Sequence, residues 1–196
     1  MYRFFYSYKT AGDILFLLID PESPVTKCEP HGDVIALWNE DRLVGVNFMH
    51  IGKTMKIHAA GMIAIPEKSM LDCVNHLLAN AGLPTLEMPN SSGYRVLEVK
   101  GIEEHPLDEK ASIVTLTDGE KTYSTVSRDL TLKAGEKVVA ITDGTIAYDG
   151  SVFHRHIAKN IAIDVELCNA EELRIGGAKG IFRAEEPLGS DFYLGE

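Results

Sequence analysis

The sequence predicts two domains, a small α+β domain over residues 1–88 and an all-β barrel over residues 93–196. In the first region, apolar strand-like runs precede a single amphipathic helical stretch. In the second region, β-forming segments are short and alternate with Gly-containing turns, which is typical of a barrel. Between them lies Glu87–Gly93, whose Pro, Asn, Ser and Gly residues favour a linker.

Apolar runs predict the strands of the first domain. Residues 1–8 are aromatic and alternate poorly, which favours an edge strand. The runs ILFLLI, VIALW and LVGVNFM predict buried strands over 14–19, 34–38 and 43–49. Residues 55–59 form a candidate fourth strand.

Residues 66–81 carry the clearest helical pattern in the chain. Pro66 suits the first helical turn, and Glu67 suits the positive end of a helix dipole. Gly82 and Pro84 then end the helix. One apolar stripe follows the helical spacing of three and four residues: Met70, Val74, Leu77, Leu78 and Ala81.

The second region contains short predicted strands separated by turn residues. Pro106 interrupts it early, because proline removes an amide donor and restricts His105 before it. Asp118-Gly119 favours a hairpin turn, and Ile161–Leu167 alternates apolar and polar side chains. The predicted strands are 94–100, 113–117, 122–126, 137–141, 161–167 and a last short one at 180–182.

The net charge of the chain does not indicate a nucleic-acid-binding surface. The chain has 19 Lys and Arg, 29 Asp and Glu, and a net charge of −10. After residue 90 there are 12 basic and 19 acidic residues, so the second region is the more acidic one. Non-specific nucleic-acid affinity arises largely from neutralised phosphates. An RNA site would therefore have to be a local patch.

The segment from Tyr94 to Gly119 carries a family resemblance. Its strand, its His-Pro-x-x-x-Lys motif over 105–110, its second strand and its hairpin resemble the tRNA-binding domain of bacterial phenylalanyl-tRNA synthetase β chains. From end to end, the chain is similar to stand-alone bacterial proteins of the YtpR type, which carry an additional N-terminal domain. The resemblance implies an α+β N-terminal domain followed by an all-β OB-fold barrel. It also implies a non-catalytic protein that binds tRNA without a cofactor.

The chain departs from that family at the RNA-binding motifs. Where the family usually has C-G-A-x-N, this chain has Ser127–Thr131, and where the family has R-G it has Lys159 and Asn160. Only the Arg-to-Lys change keeps the charge, and lysine lacks the bidentate geometry of arginine. Asp164 and Glu166 fall on the polar face of the alternating strand, where carboxylates would repel phosphate.

A basic, partly aromatic cluster over 153–159 is the strongest candidate for an RNA-contacting edge, and a solvated loop is the alternative. His154 and His156 would share a strand face, but no third ligand is evident nearby, so we predict no metal site. The candidate RNA-binding residues are Lys110, Arg128, Lys133, His154, Arg155, His156, Lys159, Asn160 and Asn169.

No set of residues in the sequence predicts an enzyme. The chain has no Ser/His/Asp set, phosphate-cradling glycine loop or zinc spacing. The resemblance makes His105 a structural loop residue. Cys28, Cys73 and Cys168 lie far apart, which favours reduced thiols in a cytoplasmic protein. No apolar run reaches the length of a membrane span, so no membrane association is predicted.

Two functions follow from these patterns. The first is binding of tRNA or another structured RNA through the OB-fold. The alternative is a degenerate OB-fold that acts as a protein-interaction or scaffold module and no longer binds RNA. Free barrel edges could also support a homodimer.

Overall fold

The computed structural model describes residues 1–58, 60–175 and 179–193. The protein is mostly β, with 41% strand and 11% helix. The chain divides into two compact units, Met1–Asn90 with Tyr148–Ser151, and Ser91–Ala147 with Val152–Gly195. In the described part of the chain, no helix is both long and apolar enough to cross a bilayer.

An antiparallel sheet dominates the first unit. Its elements are β1 Arg3–Tyr6, the single-turn α1 Tyr8–Ala11, β2 Ile14–Leu18, β3 Lys27–His31, β4 Val34–Asn39, β5 Arg42–Met49, β6 Gly61–Ile63 and α2 Lys68–Asn80. The strands lie in the order β3-β4-β5-β2-β1-β6. Leu15 and Leu17 of β2 point into a core that they share with Val74 and Leu78 of α2. The predicted helix is therefore confirmed, and it packs its apolar stripe against the sheet.

The predicted fold class, an α+β domain followed by an all-β barrel, is wrong because the whole chain is mostly β. One helix longer than a single turn is present among the described residues. The sequence concealed part of the sheet. Strand β3 contains Pro30 and is largely exposed, so it lacks the apolar alternation of a strand. It forms because it pairs with β4, with Lys27 opposite Trp38.

Two details of the predicted sheet also differ from the structure. Strand β1 was predicted at an edge but lies between β2 and β6, with Phe5 opposite Phe16 and Met62. The candidate strand at 55–59 is absent over 55–58, and Ala59 lies outside the described residues. Both differences arise because strand order depends on partners that are distant in sequence.

The second unit is built from short antiparallel strands. They are β7 Tyr94–Glu104, β8 Ser112–Thr117, β9 Thr122–Ser127, β10 Lys137–Thr142, β11 Thr145–Ile146, β12 Val152–Phe153, β13 His156–Ala158, β14 Ile161–Ile163 and β15 Val165–Leu167. Five of them form one sheet in the order β15-β10-β7-β8-β9. This sheet is nearly closed and barrel-like, which is consistent with an OB-fold. Its core includes Leu97, Val114, Val138 and Val165.

Asp164 closes the barrel and interrupts the predicted strand over 161–167. Its amide donates to the Ser124 carbonyl at 2.8 Å. In return, the Ser124 amide donates to the Asp164 carboxylate at 2.9 Å. The alternating segment therefore forms two strands, β14 and β15. They are separated by Asp164, which binds β9.

The C-terminal segment lies along the first part of β7, where β8 does not pair. The Val96 amide donates to the Ser190 carbonyl at 3.0 Å, and the Phe192 amide donates to the Tyr94 carbonyl at 2.8 Å. Gly189 has φ of 75°, and a Cβ atom there would lie 2.5 Å from the carbonyl oxygen of Asp118. The strand predicted at 180–182 is reduced to isolated bridges, such as Asn169 with Ile181.

Candidate nucleic-acid interface

The loop between β7 and β8, residues 105–111, is held by hydrogen bonds within itself. His105 is 8% exposed, and its Nδ1 atom accepts a hydrogen bond from the Leu107 amide at 3.1 Å. The His105 amide donates to the Ala111 carbonyl, and the Ala111 amide donates to the Asp108 carbonyl. The imidazole and the backbone together fix the shape of this loop.

Three of the predicted RNA-binding residues act on the carboxylate of Asp108. Its Oδ1 atom accepts the Lys110 amide at 3.1 Å, and its Oδ2 atom lies 3.2 Å from Nη2 of Arg128. The Lys110 amide, the Arg128 hydrogen bond and the positive charges of Arg128 and Lys159 lower the pKa of Asp108. Lys159 therefore lies close enough to act on the same carboxylate. We refer to Asp108, Lys110, Arg128 and Lys159 as the cationic cluster.

The three cations of the cluster come from separate segments of the chain. Lys110 belongs to the loop between β7 and β8, and Arg128 directly follows β9. Lys159 and Asn160 form the two-residue turn between β13 and β14, with φ of 49° and 65°. Left-handed backbone at both positions is the geometry that a tight hairpin requires. All three cationic side chains are exposed.

The predicted residues His154, Arg155 and His156 gather instead near Asp143. The Arg155 amide donates to Asp143 Oδ1 at 2.9 Å, and Nδ1 of His154 lies 3.6 Å from the same oxygen. Nδ1 of His156 lies 2.9 Å from the His154 carbonyl. Within the residues that the structure describes, no group of metal-ligating side chains is large enough to hold an ion.

The last two candidates, Lys133 and Asn169, have local partners. The Lys133 amide donates to Glu136 Oε2 at 2.9 Å. The Asn169 side chain donates to Glu172 Oε1 at 3.3 Å. For the described residues, the structure gives no contact between either residue and the cationic cluster. Neither is therefore brought into the cluster.

Two features of the interface escaped the sequence patterns. Asp108 was not predicted to organise the site, although an Asp two residues before Lys110 is a known signal for a side-chain-closed turn. Arg183 anchors the segment after β9, because its Nη1 atom donates to Asp129 at 2.9 Å and its Nη2 atom donates to Thr131 at 3.0 Å. Arg183 lies 54 residues from Asp129, so no local sequence pattern indicates this contact.

Strands β8 and β9, which lie beside Asp108 and Arg128, carry no exposed aromatic ring on which a base could stack. Tyr123 is the one aromatic residue in β8 and β9, and it packs against the barrel core. Its hydroxyl donates to Asp118 at 2.7 Å. Burial and the neighbouring carboxylate raise the pKa of Tyr123 to about 12. The tyrosine therefore serves the fold and leaves no ring on these strands for stacking against a base.

Comparisons with known proteins assign no function to this site. The chain matches no protein-family model, and a search of the curated proteins finds no similar sequence. The resemblance to the tRNA-binding domain therefore stays a prediction.

Proposed function

We propose that the barrel unit is a non-catalytic RNA-binding module that contacts the RNA backbone through the cationic cluster. The observation that carries this proposal is the ion pair of Arg128 with Asp108, in the loop that holds Lys110. The positive charge of Lys159 also lowers the pKa of that carboxylate. OB-type barrels bind oligonucleotides with the loops between their first and second strands and between their fourth and fifth strands. In this barrel, those loops hold Lys110 and Lys159.

The cluster fits phosphate recognition better than base stacking. Arg128 is 78% exposed, and one of its nitrogens, Nη2, donates to Asp108. Its other donors can therefore reach a phosphate. Strands β8 and β9 offer no exposed ring for stacking. Binding would therefore depend on the shape and the backbone of a folded RNA, as in many RNA-binding domains. The family resemblance makes tRNA the first ligand to test.

The local charge limits the affinity. Glu103, Glu104 and Glu109 are exposed near the cluster in sequence, and Asp108 neutralises part of it. Each phosphate contact contributes a slope of roughly 0.7 to 0.9 in a plot of log affinity against log salt. Three cations therefore give a total slope of about 2 to 3 and a modest, salt-sensitive affinity.

The direct test is fluorescence anisotropy of labelled tRNA at several salt concentrations. The double variant Arg128→Ala/Lys159→Ala should weaken binding about tenfold or more near physiological salt, and it should reduce the salt slope by between about one and two. Lys9→Ala/Lys121→Ala removes the same charge from exposed positions outside the cluster and serves as the control. Arg155→Ala should weaken binding less than the double variant, because Arg155 lies outside the cluster and alanine keeps the amide bond to Asp143.

Two results would contradict the proposal. The first is the absence of tRNA binding by the unaltered protein even at low salt, which would favour the protein-interaction module implied by the acidic composition. The second is an equal loss of affinity in the cluster variant and the control, since this would reflect net charge alone.

A further inference from the structure

Among the residues that the structure describes, the most exposed aliphatic side chains lie beside the cationic cluster in the chain. Ile157 is 77% exposed, Leu107 is 70% exposed and Leu130 is 66% exposed. Among the described residues, every other exposed Leu, Ile or Val is at most 49% exposed. Exposed apolar residues that are scattered singly need no explanation, but a concentration of them marks a binding surface.

Each of these three side chains is within two residues of a cluster member. Leu107 directly precedes Asp108, Leu130 follows Arg128 by two residues, and Ile157 precedes Lys159 by two. The ion pair between Asp108 and Arg128 joins the first two segments. The hydrogen bonds between Asp164 and Ser124 hold the β13–β14 hairpin beside β9, which Arg128 directly follows. The aliphatic residues therefore lie on the neighbouring segments that also carry the cations.

The backbone that carries these side chains is held in place. The Leu107 amide donates to the ring of His105. Residues on both sides of Leu130 are bound by Arg183. Ile157 pairs with Ala162 across the β13–β14 hairpin, and both of these residues are exposed. Their exposure is thus a property of a fixed surface.

We infer that Leu107, Leu130 and Ile157 contact the faces of unpaired bases, so that the site selects folded RNA with unpaired nucleotides over a continuous duplex. This inference rests on the proposed RNA-binding function. The three cations favour an anionic ligand, and the exposed apolar side chains close to them in the chain favour flat or apolar surface. An A-form duplex offers phosphates and hydroxyls but hides its base faces, whereas unpaired nucleotides present both. Apolar side chains can pack against a base that has left its stack.

The test compares two RNAs that carry the same number of phosphates, a stem-loop and a blunt-ended duplex, by fluorescence anisotropy. The unaltered protein should prefer the stem-loop. Leu107→Ala, Leu130→Ala and Ile157→Ala should each weaken stem-loop binding about threefold, and together about thirtyfold. Duplex binding should change little. Val25→Ala, at an exposed aliphatic position in the first unit, is the matched control, and thermal melting checks that each variant folds.

The salt dependence separates this inference from the proposed function. The triple aliphatic variant should keep the salt slope of the unaltered protein, because apolar contacts release no counterions. Its affinity for inorganic polyphosphate, which has charge but no bases, should also be unchanged. By contrast, Arg128→Ala/Lys159→Ala should lower the slope and weaken polyphosphate binding.

Three outcomes would overturn the inference. If the unaltered protein binds stem-loop and duplex equally, the site does not select unpaired nucleotides. If the triple variant binds the stem-loop as tightly as the unaltered protein, the aliphatic surface serves a different ligand, such as an acidic peptide, while the proposed function stands. If the unaltered protein binds neither RNA, both the inference and the proposed function fail.

Discussion

The two loops that flank β8 both place an aspartate in a turn, but they use it differently. Asp118 lies in the loop over 118–121, where its side chain is 4% exposed. Its carboxylate accepts hydrogen bonds from the Glu120 and Lys121 amides and from the Tyr123 hydroxyl. Asp108 lies in the loop over 105–111 and is 24% exposed. The first aspartate is enclosed by its own hairpin, whereas the second faces an exposed arginine.

The difference shows that burial and the origin of the partners decide what a turn aspartate does. The partners of Asp118 are mostly local, so its charge stabilises the hairpin. Asp108 also binds a side chain from the end of β9, so it gathers surface charge. Burial alone would raise the pKa of Asp118, but the hydrogen bonds and Arg95 outweigh it and bring the pKa to about 2. The pKa of Asp108 is lowered as well, chiefly by the Lys110 amide.

The two loops should differ most in how much their aspartates contribute to the free energy of unfolding. Asp118→Ala removes charge-assisted hydrogen bonds and leaves the half-buried Tyr123 hydroxyl without its acceptor, so it should lower the free energy of unfolding by about 3 kcal/mol. Asp108→Ala removes an exposed ion pair and a single hydrogen bond from an amide, so its effect on the free energy of unfolding should be much smaller. Urea denaturation monitored by circular dichroism measures both. Equal losses would show that the two loops contribute alike to the fold.

The pH dependence gives a smaller expected difference. Because the pKa of Asp118 falls from 3.8 to about 2 on folding, its contribution is complete above about pH 4. That contribution is lost as the pH falls from about 4 to 2, because the unfolded chain then binds the proton first. The loss should be about 2 kcal/mol. Urea titrations of the unaltered protein and of Asp118→Asn, which cannot ionise there, measure it. Parallel stability curves for the two proteins would contradict the expectation.

The smallest effect is expected from Asp108→Asn. The amide oxygen of Asn can still accept the Lys110 hydrogen bond, so the free energy of unfolding should change little. The change removes one negative charge beside Arg128 and Lys159. Affinity for inorganic polyphosphate should therefore rise by about twofold to threefold at low salt. A fall in affinity would show that Asp108 mainly positions Arg128 for its ligand.

Local sequence patterns located most of the elements but misjudged the fold class. The helix at 66–81 was recognisable because its stripe, its first turn and its stop signals all lie within the segment. The strands β8, β9 and β10 were recognisable for the same reason. Strand β3 was not, because Pro30 and polar residues hide it until β4 supplies its hydrogen bonds. The site was partly predictable, since Lys110, Arg128 and Lys159 were candidates, but the role of Asp108, which binds Arg128, was not.

The sequence by itself determined where the helix, most of the barrel strands and the turns form and which cations are available, because alternation, turn residues and charge act over a few neighbouring positions. Only the tertiary structure decided which of those cations share a surface. Asp108 meets Arg128 across 20 residues, and Asp164 closes the barrel on Ser124 across 40. Contacts over such distances depend on how the barrel strands pair, and a local sequence pattern does not determine that pairing.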